Sequence, residues 1–121
     1  RDSSTSRGLG DVYKRQLIDR ATAIIRKYFD DIDFDMNVLA SELGIGRSKL
    51  YLRIKEITGL TPNELTLKIK LEEAMYLLNN QPNLNISEIS YQLGFSSPRY
   101  FSKCFKSFYG VSPQNCRKGV N

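Results

Sequence analysis

Apolar residues between Ser97 and Gly110 fall on one stripe. Phe101, Phe105 and Phe108 recur at i, i+4 and i+7, the spacing of a helix that buries one face. Ser97 is a helix-capping residue, Pro98 suits a first turn where its missing N–H costs nothing, and Gly110 is a helix-ending glycine. The pattern predicts a helix over 98–109 with all three phenylalanines in the core. Arg99, Ser102, Lys103 and Lys106 take the opposite face at i, i+3, i+4 and i+7, and no carboxylate lies between Ser97 and Gly110. One side of this helix is greasy and the other offers only cations and hydroxyls, which suits a negatively charged, groove-shaped partner.

The same pattern occurs earlier in the chain. Leu39, Ala40, Leu43, Gly44 and Ile45 return fifty positions later as Ile89, Ser90, Leu93, Gly94 and Phe95. After one extra turn residue, Leu50, Ile54, Ile57, Gly59, Leu60, Thr61 and Pro62 return fifty-one positions later as Phe101, Phe105, Phe108, Gly110, Val111, Ser112 and Pro113. Each copy reads as a short helix, a glycine turn and a longer basic helix, the helix-turn-helix plan. Two copies are too few for a solenoid, which needs about three stacked units. Two linked subdomains are expected.

Periodicity and capping signals fill in the rest. Leu17, Ile18, Ala21, Ile24, Ile25, Tyr28 and Phe29 predict an amphipathic first helix of about three turns. Asp35 caps a second helix over 36–43, packed through Val38, Leu39 and Leu43, and Gly44-Ile45-Gly46 makes the turn. A third helix over 47–58 buries Leu50, Ile54 and Ile57 and presents Ser48, Tyr51, Leu52 and Lys55. Thr61-Pro62-Asn63-Glu64 combines an N-cap, a first-turn proline and a capping-box glutamate. The linker helix it opens, about 62–79, spans roughly 27 Å at 1.5 Å per residue. Asn85 with Glu88 opens a fifth helix ending near Leu93, and Ser112-Pro113 opens a last short one. No stretch reads as strand. The expected fold is all-α, about seven helices, with helix-turn-helix subdomains at about 36–58 and 86–109. Residues 1–16 are rich in Ser, Arg and Gly without periodicity. They are expected to lie outside the fold, as a disordered leader, a linker or sequence foreign to the native gene.

At 121 residues the chain holds one domain or two very small ones. Hydrophobic residues make up 40%, enough for a core, and no apolar run approaches the roughly 18 residues of a membrane span. The net charge is only +5, yet its placement is telling. Arg47, Lys49, Arg53, Lys55, Arg99, Lys103 and Lys106 lie in two segments, 47–55 and 97–106, that contain no acid. Without these seven, 11 of the 18 basic residues face all 13 acidic ones. The basicity thus belongs to the two long helices of the repeat, as nucleic-acid binding requires.

Other chemistries are less well supported. Asp31, Asp33, Asp35, Asn37 and Glu42 fit positions of a calcium-loop template, but Met36 replaces the glycine of the sharp turn. A solvated acidic turn with Asp35 as helix cap accounts for them. Gly44-Ile45-Gly46 follows no strand, which argues against a nucleotide loop. Asn85-Ile86-Ser87 matches a glycosylation acceptor, for which helix capping is the better explanation. Two cysteines, Cys104 and Cys116, are too few for a disulfide framework and point to a reducing cytosol. Cys104 beside Lys103 reads as an ordinary flanking thiol before a redox sensor. With no histidine, no phosphate loop and no paired carboxylates in a plausible pocket, an enzyme is not expected, nor a cofactor or a metal.

Residues 17–121 resemble the DNA-binding domain of the arabinose-regulator (AraC/XylS) family of bacterial transcription factors. The resemblance rests on Ile86 to Ser97, then Tyr100-Phe101-Ser102-Lys103, Phe105-Lys106 and Gly110-Val111-Ser112-Pro113. In the first copy it rests on Leu50-Tyr51, Lys55 and Thr58-Gly59-Leu60-Thr61-Pro62, and in the linker on Lys70 to Leu78. It implies seven helices in two subdomains joined by the long helix, with two recognition helices entering successive major grooves. A linker of roughly 27 Å can hold groove helices about one DNA turn, roughly 34 Å, apart. Two positions depart from the family pattern. Leu52 stands where a basic or polar residue is common; it can meet a thymine methyl or pack on sugar but cannot read guanine as arginine does. Gly46 stands where a serine-like cap is usual.

The expected DNA-binding residues are Arg47, Ser48, Tyr51, Leu52 and Lys55 in the first copy and Ser97, Arg99, Ser102, Lys103 and Lys106 in the second. Arg99, in the first turn of its helix, is the leading base reader, with Ser102 and Lys103 next. Lys55, Lys106 and the amides after Ser97 suit phosphate. Double-stranded DNA is the expected partner, with RNA polymerase beside it and no membrane contact by this domain, in the cytoplasm. A helical domain docking on an acidic protein is the competing reading. By resemblance, such modules follow a sensing or receiver region, and this linker looks like those ending hybrid two-component regulators. The chain is therefore expected to be an output fragment, the alternative being a small stand-alone regulator.

Overall fold

A computed structural model of the chain describes residues 2–119, with side chains from residue 10 on. Arg1, Val120 and Asn121, the ends of the expected leader and domain, lie outside the described residues. Among the described residues there are seven helices and no strand: α1 (Asp2–Lys27), α2 (Met36–Leu43), α3 (Arg47–Thr58), α4 (Pro62–Asn80), α5 (Ile86–Gln92), α6 (Pro98–Tyr109) and α7 (Pro113–Arg117). The chain divides into two compact units. One takes in α1, α2, α3 and the first turn of α4, to Thr66; the other takes in Tyr28–Asp33 and the chain from Leu67 onward.

In the first unit Leu17, Ala21 and Ile25 line one face of α1 and are buried, as are Leu39, Ala40 and Leu43 of α2 and Leu50 and Ile54 of α3. Val38 and Ile57, expected in this core, are half-buried. α1 differs from expectation at both ends. Helix continues back to Asp2 through the segment expected to be a disordered leader. Residues 10–16 are all exposed, so Leu17 is the first of the visible side chains to be buried. With no proline to stop it, helix propagates from the packed turns, each further residue adding one hydrogen bond to an existing nucleus. At the other end α1 stops at Lys27, and Tyr28 and Phe29 fall in the turn that follows it.

The second unit is centred on α4. Leu71, Ala74 and Leu78 pack with Ile89, Leu93, Phe95, Phe101 and Phe105 in one buried cluster, with Phe29 against its edge. Its polar seams are satisfied by long side chains. Tyr109 donates its hydroxyl hydrogen to the Leu71 carbonyl at 3.1 Å. Arg117 of α7 reaches the Leu78 carbonyl at 3.4 Å, the Gln81 carbonyl at 3.1 Å and the Leu84 carbonyl. One guanidinium thereby serves acceptors that the end of α4 and the following turn leave without helical partners. Lys70 is half-buried with its ammonium 5.6 Å from the centre of the Phe95 ring, and burial pushes its pKa below the usual lysine range.

Three helix starts, those of α2, α4 and α5, carry the expected signatures. Asp35 accepts from the Asn37 and Val38 amides, Thr61 and Glu64 bond each other's backbone, and Asn85 and Glu88 do the same. The bond from the Thr61 amide holds the exposed Glu64 carboxyl below the usual range against the opposing desolvation, with the Thr61 hydroxyl and the Lys55 charge adding smaller contributions in the same direction as the amide. The two helix-turn-helix turns are also built alike. The amide of Ile45 bonds the Ala40 carbonyl at 3.1 Å, and that of Phe95 bonds the Ser90 carbonyl at 3.0 Å. Between them Gly44 and Gly94 take left-handed φ values of 73° and 79°, the αL closure of a helix end.

The two glycines are nevertheless not equivalent. A Cβ on Gly44 would meet nothing within 4 Å, whereas one on Gly94 would run into the Phe29 carbonyl. Gly44→Ala should cost about 1–2 kcal/mol, the left-handed penalty alone. Gly94→Ala should cost clearly more, since backbone as well as φ must give. Urea unfolding of both variants checks this; equal losses would show that Phe29 yields without cost.

Candidate nucleic-acid interface

α3 and α6 share one register. Leu50 and Ile54 on α3, and Phe101 and Phe105 on α6, are each 0% exposed, so one face of each helix is pinned in its core. At about 100° per residue, positions 48, 51, 52 and 55 then turn outward on α3, and 99, 102, 103 and 106 on α6. Arg47, Ser48, Tyr51, Leu52 and Lys55 are all exposed, as are Arg99, Lys103 and Lys106. Ser102 and Ser97 are half-buried. The two outward stripes correspond position by position under the 51-residue offset of the repeat.

The helices start differently. Ser97 accepts from the Tyr100 amide at 3.1 Å, so its hydroxyl oxygen is already engaged in capping α6. Gly46 has φ −73° and ψ 159° at the start of α3 and supplies no side-chain cap. Both ends close on left-handed glycines, with the Gly59 amide 2.8 Å from the Lys55 carbonyl and the Gly110 amide 2.7 Å from that of Lys106. Glu56, the first acid after the α3 stripe, pairs with Arg53 at 3.4 Å. Such an exposed pair adds little stability, but it keeps that carboxylate beside its own cation.

The expected burial of Phe108 is not found: it is 46% exposed. Tyr109 takes the inward position, 4.7 Å from Phe105, while Phe108 meets Tyr109 edge-on at 4.7 Å. The hydroxyl explains the exchange, because only tyrosine can bond the Leu71 carbonyl at that depth. Burial, with the charges of Glu72 and Cys116, raises the Tyr109 pKa above its ordinary value. Phe108 instead lines an open groove of about 300 Å³ with Leu67, Leu71, Tyr100, Cys104 and Ser107, reaching Lys103 at the edge of the stripe. Tyr100, 49% exposed beside Arg99, was not among the expected site residues; its spacing to Cys104 and Phe108 at i, i+4 and i+8 marks this third face. A hydrogen bond with Cys104, then the charge of that thiol and burial, push the Tyr100 phenol up.

Two of the calcium-loop carboxylates are otherwise engaged: Asp31 accepts from the Asp33 amide at 2.9 Å, and Asp35 caps α2. Among the described residues no group of three or more His, Cys, Asp or Glu is placed to hold a metal, and no helix is long and apolar enough to cross a membrane. Both thiols are free, and Cys116 lies 3.5 Å from the Met75 sulfur.

Two helix-turn-helix copies on an all-helical frame, each with an exposed second helix, define a tandem helix-turn-helix module. A family model described as "Helix-turn-helix domain" matches residues 39–119, and the chain belongs to the AraC-type helix-turn-helix family. It is 42% identical over 98 residues to "Histidine kinase P4" of Formosa agariphila, covering 81% of this chain and 7% of that protein. It is 40% identical over 85 residues to the "Msm operon regulatory protein" of Streptococcus mutans, covering 70% of this chain and 30% of that protein. The chain thus spans a small part of these curated relatives. Among solved structures it is similar to the C-terminal domain of AraT, a response regulator from Geobacillus stearothermophilus. The TM-score is 0.75 at 33% identity, over 85% of this chain and 84% of that one.

The caps make a direct test. Ser97→Ala should destabilise the chain by about 1 kcal/mol, and Gly46→Ser should stabilise it by a few tenths. Urea midpoints read both; a neutral Ser97→Ala would mean that water replaces the cap at no cost.

Proposed function

We propose that this chain binds double-stranded DNA sequence-specifically, as the output domain of a transcription regulator, with α3 and α6 as recognition helices in successive major grooves. One observation carries the reading. Two helices of matching register turn the stripes 48/51/52/55 and 99/102/103/106 outward, all exposed but the half-buried Ser102, and neither segment, 47–55 nor 97–106, contains an acid. Duplicate helix-turn-helix frames place such helices in major grooves, and clustered cations release counterions from phosphate. Arg99, in the first exposed turn of α6, is assigned to a guanine edge, with Ser102 and Lys103 beside it. Ser48, Tyr51 and Leu52 face bases from α3. Arg47, Lys55 and Lys106 hold phosphate; of the amides expected to join them behind Ser97, that of Tyr100 is taken by the Ser97 hydroxyl and that of Phe101 by the Ser97 carbonyl.

The regulator works in the cytoplasm and touches RNA polymerase as well as DNA. It forms the output end of a longer protein with a sensing or receiver region. The small fraction of "Histidine kinase P4" that the chain spans, and the likeness to a response regulator's C-terminal domain, support a two-component setting.

Fluorescence-anisotropy titrations on a duplex selected from a random pool, and on random duplexes, separate the roles. Arg99→Ala should cost about 1–3 kcal/mol on the selected duplex and relax preference at one base pair. Lys106→Ala should weaken both duplexes alike and lower the salt slope by about one. Equal effects from the two substitutions would overturn the assignment.

A further inference from the structure

The two recognition stripes share a register but not a chemistry. Under the repeat offset, Ser48 corresponds to Arg99, Tyr51 to Ser102, Leu52 to Lys103 and Lys55 to Lys106. Only the last position carries the same residue. At the three positions nearer the helix start, α6 offers two cations and a hydroxyl, while α3 offers a serine, an aromatic ring and an aliphatic side chain. Leu52 is 67% exposed and Tyr51 41% exposed; among the described residues only Ile32, at 84%, is a more exposed large apolar side chain. Leu52 lies one turn from both Ser48 and Lys55, on a segment, 47–55, with four cations and no acid. An apolar ledge framed by cations suits a polyanion that displays an apolar group. In a major groove the base edges display one such group, the C5 methyl of thymine.

Resting on the DNA-binding reading above, we infer that the recognised element is chemically asymmetric, one half read through thymine methyls by the Tyr51–Leu52 ledge and the other through guanine edges by Arg99 and Lys103. Specificity in the α3 half then comes from apolar contact and tolerates loss of hydrogen-bonding groups. In the α6 half it depends on the acceptors at guanine N7 and O6.

Base-analogue substitution in the selected duplex tests this with the whole chain. Replacing single thymines by deoxyuridine should weaken binding about fourfold for each contacted methyl, the worth of one buried methyl group, and only in one half. Replacing single guanines by 7-deazaguanine should weaken binding only in the other half. Leu52→Ala should abolish the deoxyuridine effect at the thymine that Leu52 meets while the 7-deazaguanine effects persist; Arg99→Ala should abolish the 7-deazaguanine effect at its own guanine while the deoxyuridine effects persist. Leu52 is exposed, so its removal should leave the melting curve in place. Equal binding of thymine and deoxyuridine duplexes, or deoxyuridine effects that all survive in Leu52→Ala, overturn the inference and leave DNA binding standing. A pool that yields no preferred duplex overturns the DNA-binding reading and this inference with it.

Discussion

The burial of two side chains on α3, and of two on α6, governs what each helix can do. Leu50 and Ile54 on α3, and Phe101 and Phe105 on α6, are sealed from solvent. With residues turning about 100° apiece, two fixed positions four apart set the azimuth of every other side chain. A helix rolled by one residue would turn Leu52 or Lys103 away from the outward face. Core packing in this protein is therefore a statement about orientation as much as stability. Loss of a buried phenylalanine would cost about 3–5 kcal/mol and would free the helix to roll.

That roll is further restricted by the turns that join the short and long helices. The left-handed glycines and the amide bonds from Ile45 to Ala40 and from Phe95 to Ser90 repeat closely between the copies. Ala40 and Ser90, both buried, hold matching small positions in the two copies. Ser90 keeps its hydroxyl satisfied through the Ser87 carbonyl at 2.8 Å, so a polar atom sits in the second core without an unmet hydrogen bond. The second copy has long-range ties of its own. Gly94 abuts Phe29, the Lys70 ammonium lies near the Phe95 ring, and Arg117 gathers three carbonyls.

Most of the helices were legible because their signals are local. A cap, a proline in the first turn and a glycine at the end lie within one helix, and periodicity tells which side is apolar. What escaped depends on partners distant in sequence. Phe108 and Tyr109 are both aromatic and adjacent; only the Leu71 carbonyl, thirty-eight residues away, decides which turns inward. The role of Arg117 rests on carbonyls 33 to 39 residues upstream. The end of α1 was misread because Tyr28 and Phe29 continue its apolar pattern while belonging to the other unit. In the candidate site, stripe positions followed from the repeat, whereas the exposure of Tyr100 and the groove beside it required the packing of α4 to be seen.

Comparison of the copies separates what the frame needs from what the surface displays. Buried positions pair like with like: Leu39 with Ile89, Leu43 with Leu93, Leu50 with Phe101, Ile54 with Phe105. Outward positions do not, apart from the lysines at 55 and 106. A frame that had to meet two identical surfaces would have no use for different outward residues. One that meets two different surfaces must vary those residues while keeping apolar side chains beneath them, because losing the buried anchors would free the helix to roll and misplace the whole stripe. Under the proposed DNA-binding reading the shared lysines fit the same logic: phosphate is the same along every stretch of duplex, so a residue that holds phosphate has no reason to differ between the halves.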